Sequence, residues 1–141
     1  MKSTLPLLIE TDFPAITRQG LQTLQVNLGY LCNQSCQHCH VNAGPNRTEL
    51  MDKETIDLVL QVLDKHQIEL LDLTGGAPEM NPLFKYLVKG ARARGVTVMD
   101  RCNLTILSEP GYEDLAEFLA EHQVQVTASM PCYSPANVDK Q

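Results

Sequence analysis

The sequence predicts an α/β fold, a partial parallel (β/α) barrel of about four strands and three helices. Three observations predict it. Stretches with the two-residue period of a strand alternate with stretches carrying the helical stripe of apolar residues, the pattern of βαβ units and a parallel sheet. The strands also keep one polar side, whereas strands buried on both faces are almost continuously apolar. Finally, a βα unit of an eight-unit barrel takes roughly 30 residues, so the stretch from Leu21 onward holds about three and a half such units.

The elements follow in order. Residues 1–20 contain Pro6, Pro14 and Gly20 and read as a loose lead-in to one core domain, residues 21–141. Leu21 to Leu28 is the first strand, with Leu24, Val26 and Leu28 apolar and Gln25 and Asn27 polar. A cysteine-containing loop runs on through Gly44 and Pro45. Asp52 then caps a helix reaching to His66, and Ile56, Val59, Leu60 and Leu63 form its apolar stripe. Glu69 to Thr74 is the second strand, stopped by Gly75-Gly76. Asn81 caps the next helix with Pro82 at its first position; Leu83, Phe84, Leu87, Val88 and Ala91 face inward, and Gly95 ends it. Val96 to Arg101 is the third strand. A third helix starts near Pro110 and buries Leu115, Phe118 and Leu119, and Val124 to Ser129 is the fourth strand.

The polar residues Gln25 and Asn27, Asp72 and Thr74, Thr97 and Arg101, and Gln125, Thr127 and Ser129 either project into a shared polar lumen or are strand-end residues near water. The sequence stops just after a strand, where the next helix should begin, so the barrel is expected to be incomplete and to need a complementing C-terminal half.

Composition narrows the function. A net charge of −6 and the lack of any Lys/Arg run argue against nucleic-acid binding, which needs a basic face. The apolar stretch from Leu5 to Ile9, broken by Pro6, is too short for a signal peptide or a membrane span, so a cytoplasmic, membrane-free protein is expected. Three of the five cysteines fall within eight residues, while Cys102 and Cys132 stand alone. In a reduced compartment such crowding favours metal binding over cross-linking.

The crowded segment, Cys32-Asn33-Gln34-Ser35-Cys36-Gln37-His38-Cys39-His40, spaces its cysteines as Cys-x3-Cys-x2-Cys. Three thiolates on a short loop suit an iron–sulfur cluster, and a cubane with four irons would keep one iron free of protein. Zinc is the competing metal, with His38 or His40 completing a Cys3His set.

Cys-x3-Cys-x2-Cys in the loop after the first strand resembles the signature of the radical S-adenosylmethionine (SAM) superfamily. The resemblance implies a 4Fe–4S cluster held by Cys32, Cys36 and Cys39, with SAM chelating the open iron. It also implies homolytic cleavage of SAM to a 5′-deoxyadenosyl radical, a small-molecule substrate, and an electron donor such as a flavodoxin or ferredoxin. His38 occupies the place where the family usually has an aromatic residue near the adenine. Thr74-Gly75-Gly76-Ala77-Pro78-Glu79 resembles the family's Gly-Gly-Glu motif, whose backbone contacts the SAM ammonium group, with Ala77 in the usual glutamate position and Glu79 two residues later. Asn103 and Ser129 stand where the family puts polar groups near the ribose or carboxylate of SAM.

Val26 to Tyr30, Cys39 to Pro45, Thr74 to Glu79, Arg101 to Thr105 and Ser129 to Tyr133 are similar to local patterns of the arsenosugar-biosynthesis branch. That branch implies transfer of the deoxyadenosyl group to a methylated trivalent arsenical. Cys132 would suit a soft arsenic centre, its bland reading being a small packed residue. Cys102 reads as structural. The alternative to an enzyme is a non-catalytic iron–sulfur or zinc module that pairs with a partner protein.

Overall fold

The computed structural model describes residues 5–9, 11, 12, 14, 17 and 19–128. Four strands, β1 (Thr23–Asn27), β2 (Leu70–Thr74), β3 (Thr97–Asp100) and β4 (Gln125–Val126), form one sheet in the order β1-β2-β3-β4. All three pairings are parallel, with Val26 opposite Leu73 and Leu73 opposite Asp100. The helices are α1 (Leu5–Ile9), α2 (Lys53–His66), α3 (Phe84–Ala93) and α4 (Leu115–Glu121), the last three each crossing between successive strands. This is the expected α/β architecture, a run of βα units as in part of a barrel.

The stripe on α2 buries Ile56, Leu60 and Leu63, and the Asp52 carboxylate accepts from the Thr55 amide at 2.9 Å to cap it. Gly95, with φ of +76°, ends α3 in the left-handed conformation that glycine adopts without strain. Two helix starts differ from expectation. Asn81 Oδ1 does accept a local amide, that of Leu83 at 2.8 Å, but α3 begins only at Phe84, because residues 78–80 form a 3-10 turn first. The third crossover helix begins at Leu115 rather than near Pro110, since residues 105–108 take a second 3-10 turn and Gly111 reverses the chain with φ of +91°. The lead-in also contains a short helix, α1, whose Leu7 and Ile9 are exposed.

Strand residues of one parity, Val26, Leu28, Leu71, Leu73 and Val98, pack with Ile56, Leu60, Leu63, Phe84, Leu87, Val88, Leu115, Phe118 and Leu119 in the main core. The other parity carries Gln25, Asp72 and Arg101. Gln25 donates to Asp72 at 2.7 Å, and Arg101 grips the same carboxylate through two bonds of 2.8 Å. These hydrogen bonds, led by those from Arg101, hold Asp72 below the usual carboxylate range. Among the described residues, then, the polar side forms a ladder across three strands. Among the described residues no helix is long and apolar enough to cross a membrane.

Candidate cluster and cofactor site

The cysteine loop leaves the carboxyl end of β1 and is tied into a closed noose. Tyr30 donates its amide to Glu49 at 2.9 Å, Gly44 donates to Tyr30 at 3.1 Å, and Cys32 donates to Gly44 at 3.2 Å. Arg47 braces the return strand of the noose. Its guanidinium bonds Glu49 at 2.7 Å and the Asn42 carbonyl at 2.6 Å, and lies 4.8 Å from the centre of the Tyr30 ring.

The noose is then bolted to the turn after β2. Gly76 donates to the Gly29 carbonyl and Ala77 to the Leu31 carbonyl, both at 2.9 Å. This close approach is why both positions are glycine. A methyl group on Gly76 would stand 2.5 Å from the Leu31 oxygen, and one on Gly75 2.6 Å from the Gly29 oxygen. The amides of Gly76 and Ala77 therefore serve the loop. Among the described residues, no backbone donor outside the helices and strands reaches the Gly75 or Gly76 carbonyl.

Within the noose, turns closed by Cys39 onto Cys36 and by Asn42 onto Cys39, each at 3.2 Å, shape the segment that carries the three thiols. Cys32 is buried, while Cys36 and Cys39 are half-buried. Burial, followed by the nearby Cys32 and Cys39 groups, raises the Cys36 thiol above its ordinary value. Donors already point at the sulfurs: the Ala43 amide lies 3.2 Å from Cys39 Sγ, and Asn103 Nδ2 lies 3.6 Å from Cys32 Sγ. N–H donors aimed at thiolate sulfur are the surroundings an iron–sulfur cluster takes. Three soft thiols, converging donors and no carboxylate among them fit such a cluster, and Cys32, Cys36 and Cys39 are the residues that would hold it.

Asn103, expected beside SAM, is engaged with the loop. Its amide nitrogen donates to Asn33 Oδ1 at 3.0 Å, and its oxygen accepts from the Thr105 hydroxyl at 3.0 Å and the Ile106 amide at 3.2 Å. His38 and His40 are exposed. Ala77 is buried against Cys32 and Ala43, and Pro78 opens the 3-10 turn that follows. Ser129 and Cys132 lie outside the described residues.

The Glu79 carboxylate, which the resemblance puts near the cofactor, is buried among Asp100 and Cys102. These three were not read together from the sequence. A signal was present: Val96, Val98, Asp100 and Cys102 share one parity, so an acid stands where the strand should be apolar. Asn81, a helix cap by its sequence position, also donates its Nδ2 to the Leu28 and Met51 carbonyls at 2.9 Å, locking the entry and exit of the noose.

Two curated relatives can be set beside this site. The chain is 30% identical over 78 residues to the "Probable GTP 3′,8-cyclase" of Sulfurisphaera tokodaii, covering 55% of this chain and 25% of the relative. It is 33% identical over 75 residues to the "Probable GTP 3′,8-cyclase" of Saccharolobus solfataricus, covering 53% of this chain and 24% of the relative. The match thus spans about a quarter of these relatives' length. The sequence model of the Radical SAM superfamily, whose members use a 4Fe–4S cluster and SAM, matches residues 26–137. That match runs from β1 past β4 and takes in both the cysteine noose and the Gly-Gly turn bolted to it, and on that ground this chain belongs to the radical SAM superfamily.

Proposed function

We propose that this chain supplies the cluster-holding and SAM-binding part of a radical SAM enzyme acting on a small molecule. The observation that carries the reading is the bolting of the Cys32–Cys39 loop onto the Gly75–Ala77 turn, which puts three thiols and two glycine carbonyls at the carboxyl ends of adjacent parallel strands. When bound, the cluster supplies the electron that splits SAM into methionine and a 5′-deoxyadenosyl radical.

The chain's own residues have separable tasks. Cys32, Cys36 and Cys39 hold three corners of the cluster. The Gly75 and Gly76 carbonyls accept from the SAM ammonium group, and His38 offers a face to the adenine. Asn103 fixes the loop through Asn33 and Cys32. The Gln25–Asp72–Arg101 ladder lines the polar side of the sheet, where Arg101, with its side chain 48% exposed, can meet an anionic substrate group.

For the substrate, the local patterns around Cys39–Pro45 and Arg101–Thr105 favour a methylated trivalent arsenical that receives the deoxyadenosyl group. A purine nucleotide is the second reading, favoured by the likeness to the two cyclases. The test is anaerobic reconstitution of the full chain, with iron and sulfide counts and electron paramagnetic resonance of the reduced sample with and without SAM. About four irons per chain and a spectrum altered by SAM are expected. Tight zinc without sulfide and no response to SAM would overturn the reading in favour of a metal-stabilised module. Product analysis with an arsenical and with GTP in parallel then separates the two substrates.

A further inference from the structure

On the helix side of the sheet, the first 3-10 turn and the end of β3 bring Glu79, Asp100 and Cys102 together. Their ligand atoms all lie within 4.8 Å of one another. Glu79 is 5%, Asp100 0% and Cys102 2% exposed, and all four carboxylate oxygens lack a hydrogen-bond partner. Two adjacent buried carboxyl groups with no donor are costly unless a cation or a shared proton neutralises them. The spacing is close enough for one ion to gather all three, whereas the thiols of the noose do not form such a tight group among the described residues.

We propose that Glu79, Asp100 and Cys102 form a second metal site, which binds one divalent cation of the zinc type through two carboxylate oxygens and one thiolate. The donor set decides the class of ion. A thiolate is a poor ligand for calcium or magnesium, which take oxygen, but a normal one for zinc. Zinc places oxygen and sulfur ligands at about 2.0–2.3 Å, so tetrahedral ligands stand roughly 3.3–3.8 Å apart, a contraction of at most about 1.0–1.5 Å from the observed limit of 4.8 Å. The Leu104 amide, 3.3 Å from Cys102 Sγ, donates to the sulfur and favours its anionic form.

Without a metal, burial, then the Glu79 charge and the hydrogen bond a protonated Asp100 makes with Glu79, pushes Asp100 up to about 9. Burial, then a hydrogen bond with Glu79 and its charge, pushes Cys102 up to about 12, so a proton competes with a cation here. A dication among the three reverses both penalties. Glu79 also lines a cavity of about 340 Å³ shared with Asn81, Phe84 and Tyr112. Three protein ligands leave one tetrahedral position for water. The site does not depend on the proposed radical chemistry, and its test is arranged to keep the two apart.

The full chain carrying C32S, C36S and C39S, stripped of metal, is titrated with Co²⁺ alone as the spectroscopic probe. One Co²⁺ per chain is expected, with a sulfur-to-metal charge-transfer band. Adding C102S should abolish that band, and adding E79Q or D100N should weaken binding at least tenfold. Because the triple-serine chain could fail to fold, metal is also counted in the reconstituted wild-type chain after exposure to Zn²⁺. One zinc beside the iron is expected there, lost in E79Q while iron and sulfide stay. Absence of both the cobalt and the zinc, cobalt absorption unchanged by C102S, or a protonated-carboxyl infrared band persisting at saturating Zn²⁺ would overturn the proposal, the last showing a carboxyl pair that shares a proton.

Discussion

Replacing Gly76 by Ala probes the join between the cysteine noose and the sheet. The added methyl would meet the Leu31 oxygen at 2.5 Å, the Leu31 carbonyl carbon at 2.9 Å and the Tyr30 oxygen at 2.9 Å. Ordinary contact begins at 3.4 Å, so the loop must retreat by about 0.9 Å (3.4 − 2.5). All three obstacles are backbone, and no side chain can swing away. Overpacking of this kind costs about 1–3 kcal/mol. The retreat also stretches the amide bonds of Gly76 and Ala77 to the noose, each worth about 1 kcal/mol. A combined loss of about 3–5 kcal/mol corresponds to a fall in Tm of roughly 12–20 °C for a chain of this size. Differential scanning calorimetry of the apo chain measures it, and iron counts after reconstitution show whether the displaced loop still holds a cluster. Gly20→Ala is the control, since nothing lies within 4 Å of its added methyl. If Gly76→Ala melts within 2 °C of wild type and keeps its full iron, the noose is not held by this contact and the reasoning fails.

Other outcomes follow from the same structure. Asn103→Ala removes the donor to Cys32 Sγ and the brace on Asn33, so the reconstituted cluster should have a more negative reduction potential, read by redox titration, while the chain still folds. Asp72 has its pKa lowered by Arg101, so its contribution to stability is present above about pH 4 and is lost as pH falls through the folded-state value. Thermal melts between pH 2 and pH 6 should therefore show a steeper acid loss in wild type than in Asp72→Asn. Phe84 is 1% exposed and packs 6.3 Å from the Phe118 ring centre. Phe84→Ala should cost about 3–5 kcal/mol by opening a cavity in the core, lowering Tm by more than about 10 °C.

What could be read from the sequence divides along the range of the interactions. Helix α2 was legible from Asp52 to His66 because its cap and its stripe are local signals. The polar parity of Gln25, Asp72 and Arg101 was also visible, since strand alternation alone puts them on one side. The start of α4 was not, because Pro110 is compatible with a turn as well as a first helical position, and Gly111 took the turn. The cysteines were found by spacing, but why Gly75 and Gly76 must be glycine was not. The obstacle is the carbonyl oxygens of Gly29 and Leu31, from a strand-end loop far away in sequence. The Glu79–Asp100–Cys102 group was hidden for the same reason: its members meet only when the turn after β2 settles against the end of β3.

The bolt between the noose and the Gly-Gly turn also constrains the order of maturation. Glycines 75 and 76 reach the loop only after β2 has paired with β1, which requires closing a connection of more than forty residues that includes all of α2. Before that pairing, the three cysteines lie in a loop held by its own short-range bonds and not yet bolted to the sheet. Small zinc modules are folded by their metal. Here the first βαβ unit has to fold before its cluster can be delivered, so a chaperone or scaffold that inserts iron and sulfide would meet an already folded client.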